Sequence, residues 1–154
     1  MYKVYEPFTA EECLEYLRKS RSDDPTLTVD EVLANHELEL NEYADKYLGG
    51  RVPESQVYRE VASSETIDDR PEMLRLLKAI ESPRIKAVLV REPQRLSRGD
   101  LEDAGRIIKI FRYTNTLVVT PQRTYDLRDD MDRDYFEREL KRGNEYLEYA
   151  KKIM

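Results

Sequence analysis

Short apolar runs alternate with amphipathic stretches along this chain, and that alternation restricts the fold more than any other feature. Ile85 to Val90 (Ile-Lys-Ala-Val-Leu-Val) is brief and mostly apolar, as a strand buried on both faces should be. Thr116 to Thr120 reads the same way, while Glu12 to Leu17 and Gln56 to Ala62 alternate and suit two further strands. Helical patterns lie between them. Thr28 and Glu31 form a capping-box pair, and Val32, Leu33, His36, Leu40, Tyr43, Ala44 and Tyr47 then repeat at helical spacing up to Gly49-Gly50. Pro71 opens a second helix with the apolar face Met73, Leu74, Leu76, Leu77 and Ile80. Asp100 can cap a third, with the stripe Leu101, Ala104, Ile107, Ile108 and Phe111. Strand and helix in turn predict an α/β fold: a largely parallel central sheet flanked by helices.

The end of the chain is different. Residues 130–154 contain no proline, and Phe136, Leu140, Gly143, Leu147, Ala150 and Met154 recur at spacings of four and three, an a/d-like stripe. This reads as a long C-terminal helix that continues to the last residue without a stop signal, as in a piece of a longer protein. The expected division is therefore residues 1–129 as the α/β unit and 130–154 as the start of an interface or linker helix.

Composition narrows the function. A chain of 154 residues suits one core, and 40% hydrophobic residues are enough to pack it. No apolar run can span a bilayer, and Met1 to Glu6 lacks the apolar segment of a secretory signal, so no membrane partner and a cytoplasmic location are expected. One cysteine, Cys13, cannot form an internal disulfide, and with a single histidine it makes a zinc site a poor expectation. The net charge of −6 argues against a dedicated nucleic-acid-binding domain within this stretch, although local basic patches remain compatible with it.

In a parallel α/β sheet, ligands bind beyond the carboxyl ends of the strands. Three loops there carry Arg18 and Ser20, then Arg70, then Arg95 and Arg98. A serine among arginines suits phosphate chemistry, because the guanidinium fork is always charged and holds phosphate oxygens bidentately. It can also stabilise a pentacoordinate transition state without a metal. With 38% charged residues, the competing reading is a set of solvated surface charges.

Tyr16-Leu17-Arg18-Lys19-Ser20, then Ala62 to Pro71 (Ala-Ser-Ser-Glu-Thr-Ile-Asp-Asp-Arg-Pro), then Gln94-Arg95-Leu96-Ser97-Arg98-Gly99-Asp100 resemble the three signature segments of the serine recombinase (resolvase/invertase) catalytic domain. They stand in that family's order and at comparable spacing. The resemblance implies that Ser20 is the nucleophile, attacking a DNA phosphodiester to leave a 5′-phosphoserine link and a free 3′-hydroxyl. It implies phosphate binding by Arg18, Arg70, Arg95 and Arg98, with neither cofactor nor metal. It also implies that DNA is engaged through the full-length protein, and that homodimers or tetramers form through the C-terminal helix. The expected activity is that of a site-specific recombinase from a mobile element, with the isolated fragment inactive until its DNA-binding region is restored.

Four departures from the family pattern stand out. Gln94 occupies a position where the family often has Asp, so no carboxylate is available there for proton transfer. His36 replaces a helical glutamine. Both are candidates for supporting the site without touching the reacting atoms. Lys19 stands where a small apolar residue is usual. The loop from Arg21 to Thr28 is longer than in small resolvases, which points to a large serine recombinase of the phage integrase or transposon type.

Other residues compete for the chemistry. Ser22 is the main rival nucleophile; Ser63, Ser64 and Ser97 suit turn hydrogen bonds; a Cys13–His36 pair lacks any supporting motif. None of the 11 tyrosines sits in an Arg/His framework. The alternative function is a recombinase-like interaction module that keeps the fold and self-association but has lost catalysis.

Overall fold

In the computed structural model, residues 7–20, 23–61, 70–97 and 101–153 are described, with Leu101 and the helix beyond Arg142 as backbone alone. The elements follow the expected alternation: β1 (Cys13–Arg18), α1 (Val29–Tyr47), β2 (Val57–Glu60), α2 (Pro71–Ala79), β3 (Ala87–Leu89), α3 (Leu101–Thr114), β4 (Leu117–Val119), β5 (Thr124–Tyr125) and α4 (Asp130–Ile153). They form one five-stranded sheet in the order β2-β1-β3-β4-β5. The first four strands are mutually parallel, and β5 runs antiparallel to β4.

Two apolar layers sandwich the sheet. Leu14 and Tyr16 of β1 face α2, α3 and α4 through Met73, Leu76, Ile107, Phe111, Phe136 and Leu140. Cys13 and Leu17 face the opposite way, toward Leu33, Leu40 and Ala44 of α1. This explains why β1 is buried at every residue: a parallel strand inside a doubly covered sheet has no wet face. Cys13 sits within that layer with its thiol donating to the Thr9 carbonyl at 3.4 Å, and burial pushes its pKa up to about 12. It is no nucleophile.

The helix starts obey local chemistry. The Thr28 Oγ1 accepts from the Glu31 amide, and Glu31 Oε1 accepts from the Thr28 amide, both at 3.1 Å. Gly49 and Gly50, at φ 78° and 149°, end α1 in backbone conformations open chiefly to glycine.

Several sequence expectations need correction. Tyr47 is 61% exposed, stacking its ring on Tyr43 in the last turn rather than reaching the sheet. Leu74 stands at the outer edge of the α2 stripe, which buries Met73, Leu76, Leu77 and Ile80. β5 escaped the pattern reading because two residues carry no periodicity. It follows a turn in which the Thr120 amide and hydroxyl both donate to the Arg123 carbonyl, at 2.9 and 2.8 Å. The polar run expected as a loop after β3 is instead partly a buried 3-10 turn, Pro93–Arg95. The cap expected at Asp100 lies outside the described residues.

The start of α4 is welded to the sheet domain. Asp132 accepts from Arg123 Nη2 at 2.8 Å and from the Asp126 amide at 2.9 Å. One turn later Phe136 packs edge-on against Tyr125, ring centroids 5.7 Å apart. Among the described residues, no helix is long and apolar enough to cross a membrane.

Candidate active site

β1 and β3 are adjacent and parallel, yet the chain visits β2 between them. The helices α1 and α2 therefore leave toward different faces, and a crevice opens at the carboxyl ends of β1 and β3. β1 delivers Arg18 and Ser20 to that crevice; the turn after β3 delivers Gln94 and Arg95.

The two segments are laced together by guanidinium groups. Arg18 Nε donates to the Arg95 carbonyl at 2.9 Å, and its Nη2 donates to the Gln94 carbonyl at 2.6 Å. Arg95 Nη1 donates back to the Arg18 carbonyl at 3.2 Å and to Ser20 Oγ at 3.0 Å. Arg70, at the cap position of α2, turns inward, donating to the Leu96 carbonyl at 3.0 Å and approaching Asp103 at 3.4 Å. Arg18, Arg70 and Arg95 are all buried. Solvated surface charges these are not: each is desolvated and held by carbonyl groups, an arrangement that fixes a charge in place.

Acidic groups complete the balance. Arg95 pairs with Asp23 through Nη1 and Nη2 and with Glu92, whose Oε1 is 2.6 Å from Nη2. Asp23 Oδ2 also accepts from the Ser20 amide at 2.8 Å, and His36 Nε2 lies 3.3 Å from Asp23 Oδ1. Burial pushes the Asp23 carboxyl up, but the hydrogen bonds from Arg95 and the Ser20 amide outweigh it, so the group ends below the usual carboxylate range. Burial, then the charge of Arg95, holds His36 below its ordinary value against the opposing pull of Asp23.

The structure thus brings Arg18, Ser20, Arg95 and His36 into one connected cluster, with Arg70 anchored one residue further on at Leu96. Gln94 takes part differently. Its backbone carbonyl holds Arg18, while its side-chain Nε2 donates to the Glu139 carbonyl of α4 at 2.8 Å. Arg98, Ser22, Ser63 and Ser64 lie outside the described residues. Lys19 turns away to the Leu27 carbonyl at 2.8 Å.

Sequence reasoning missed two participants. Asp23 reads as one of several loop acids; only the fold places it between Arg95 and His36. Glu60, at the end of β2, accepts from the Tyr16 hydroxyl at 3.0 Å and from the amides of Glu72 and Met73 at 3.1 and 3.0 Å. It therefore caps α2 from a distance of 12 residues in sequence. That role has no local sequence signal, because the capping-box pattern requires neighbours three apart.

Comparison with known proteins places this geometry. The family model described as "Resolvase, N terminal domain" matches residues 13–145. The N-terminal catalytic domain of TP901-1 integrase is similar in structure, with a TM-score of 0.61 and 23% identity, covering 90% of this chain and 98% of that one. The C-terminal catalytic domain of ISC1926 TnpA, an IS607-like serine recombinase, has a TM-score of 0.53 and 25% identity, covering 70% of this chain and 65% of that one. The chain belongs to the resolvase N-terminal domain family and is a serine recombinase catalytic domain.

Proposed function

We propose that Ser20 is the nucleophile with which this domain cleaves and rejoins DNA in site-specific recombination. The observation that carries the reading is the 3.0 Å contact of Arg95 Nη1 on Ser20 Oγ, inside a cluster where Arg18 and Arg70 are buried and anchored. Ser20 Oγ attacks a phosphodiester, a serine–phosphate bond forms to the 5′ side, and the 3′ oxygen leaves. Arg95, Arg18, Arg70 and, in the family pattern, Arg98 supply the positive charge that stabilises the transition state. Because the covalent link conserves the bond energy, the 3′-hydroxyl can reverse the attack on a new partner strand without external energy.

In this reading residues 1–129 are the catalytic unit, and α4 carries the subunit contacts of a dimer or tetramer before leading to a DNA-binding region. The chain itself carries a net charge of −6, so most of the affinity for DNA is expected from a region outside it. The isolated fragment is accordingly expected to be inactive. The longer loop after β1 favours a large recombinase of the integrase or transposon type, acting in the cytoplasm on a mobile element.

The test uses the recombinase with its DNA-binding region present and a cognate site carrying a central nick. A protein–DNA adduct on a denaturing gel that disappears in Ser20→Ala and persists in Ser22→Ala is the expected result. An adduct lost only in Ser22→Ala moves the nucleophile by two residues. DNA binding without any adduct would leave an interaction module.

A further inference from the structure

Nucleophilic attack by a serine hydroxyl needs somewhere for its proton to go, and the arginines of the site cannot take it. Gln94 cannot either: an amide is no base at any working pH, and its Nε2 is already committed to α4. Resting on the reading of Ser20 as nucleophile, we propose that Asp23 is the proton acceptor for Ser20, held in place by His36, and freed to act when a DNA phosphate draws Arg95 away from it.

Three observations converge on Asp23. Its Oδ2 sits on the Ser20 amide and shares Arg95 Nη1 with Ser20 Oγ, so carboxylate and hydroxyl flank one nitrogen. Its other oxygen faces His36 Nε2. Asp23 is anionic at neutral pH, so Nε2 must carry the hydrogen and donate. The Nδ1 of His36 is then a bare acceptor. It is buried with no hydrogen-bond partner among the described residues. A histidine serving only as packing or as a structural tie would normally have both nitrogens satisfied.

Arg95 keeps this base weak at rest. It neutralises Asp23 and holds down the proton affinity of His36. The phosphate has the same claim on the guanidinium as a carboxylate has, because both accept its planar fork. Once Arg95 turns to the phosphate, Asp23 loses its strongest counter-ion and becomes the better base, while His36 keeps it oriented. Substrate charge thus switches on the base at the moment of binding. The charged groups facing the His36–Asp23 pair are Arg95 on the turn after β3 and Arg91 just before it, the latter tied to Glu39 of α1 and to Glu92.

The step balances. The Ser20 hydroxyl proton passes to Asp23, the Ser20 Oγ–phosphorus bond forms, the bond from phosphorus to the 3′ oxygen breaks, and that oxygen takes a proton from solvent. Resealing reverses it: the 3′-hydroxyl gives up its proton to solvent, and Ser20 leaves with the proton stored on Asp23.

The test measures single-turnover adduct formation by the recombinase on a nicked site, alongside the same site with sulfur replacing the 3′ bridging oxygen, a leaving group that needs no proton. Asp23→Asn is expected to slow both substrates by about 10²–10⁴-fold with DNA binding retained, the usual worth of a positioned base. A wild-type rate in Asp23→Asn overturns the proposal. So does a defect that the sulfur substrate repairs, since Asp23 would then be serving the leaving group. His36→Gln keeps an N–H for Asp23 but cannot gain charge. It should therefore abolish the fall in rate expected of wild type as pH drops through the imidazole titration; an unchanged pH profile counts against the role of His36. An adduct that survives Ser20→Ala sinks the nucleophile assignment, whatever Asp23→Asn does.

A second readout needs no catalysis. His36 is the sole histidine, so its imidazole gives one NMR titration curve. Inorganic phosphate should raise its pKa by engaging Arg95, and Asp23→Asn should lower it. A pKa indifferent to both would overturn the exchange.

Discussion

Arg18 and Arg95 clasp each other: the side chain of each donates to the backbone carbonyl of the other, at 2.9 and 3.2 Å, across 77 residues of sequence. The two arginines proposed to hold phosphate are thereby also a fastener between β1 and the turn after β3. Removing either side chain breaks charge-assisted hydrogen bonds to carbonyls on the opposite segment, each worth about 1.5–3 kcal/mol. Arg95→Ala also leaves Asp23 without its main counter-ion. Chemical denaturation should place Arg18→Ala about 2 kcal/mol, and Arg95→Ala about 3 kcal/mol, below wild type. Wild-type stability in both variants would mean that the clasp contributes nothing to folding.

Glu60 offers a separation of structure from chemistry. Its carboxylate satisfies two first-turn amides of α2 and the Tyr16 hydroxyl. Glu60→Ala should cost about 2–3 kcal/mol in unfolding free energy by orphaning these donors. Because α2 begins right after Arg70, adduct formation should fall as well. Glu60→Asp, one methylene shorter, should be intermediate in both measurements.

Gln94 links the site to α4 through the Glu139 carbonyl. Gln94→Asp would restore a carboxylate but remove the donor and set a negative charge against a carbonyl oxygen. The expected result is a loss of about 1 kcal/mol and faster amide hydrogen exchange around Glu139. Adduct formation should not improve, since Asp23 already takes the proton. A large gain in activity would show that position 94 is where proton transfer is limited.

Glu15 gives the chain a pH signature. It lies in the middle of β1 on the α1 side, 1% exposed, and neither carboxylate oxygen has a hydrogen-bond partner among the described residues. Burial, then the charges of Glu37 and Glu54, push its pKa up to about 8, against the pull of Arg59. The folded state therefore keeps a proton that the unfolded chain releases above pH 4.5. Stability should decline as pH rises from about 4.5 to about 8, by at most about 1.4 kcal/mol per unit. Glu15→Gln should flatten that slope, which urea unfolding across this pH range would reveal. An unchanged slope in the variant would assign the loss to other groups.

The sheet, its helices and the capping of α1 were legible because each depends on residues near one another. Thr28 and Glu31 are three apart, and Ile85 to Val90 announces burial by composition alone. The three recombinase-like segments likewise pointed to Arg18, Ser20, Arg70, Arg95 and Arg98, and the fold gathers the first four, the described ones, at one end of β1 and β3. What stayed hidden was of two kinds. β5 and the 3-10 turn at Pro93–Arg95 are too short for any periodicity. Asp23, Glu60 and Glu15 are carboxylates in a chain full of carboxylates; their roles arise from what lies opposite them in space. Gln94 was singled out as a departure from pattern, but its tie to α4 depends on a helix 45 residues later.

Ser20 and its partner Arg95 are separated by 75 residues. During synthesis Ser20 leaves the ribosome long before Arg95, and before β3, the strand that leads into the turn carrying Arg95, can pair with β1. A nascent chain short of Arg95 therefore carries Ser20 without the charge proposed to stabilise the transition state. Cutting DNA without rejoining it would break a chromosome, and the order of strands delays that competence until more than half of the chain has been made.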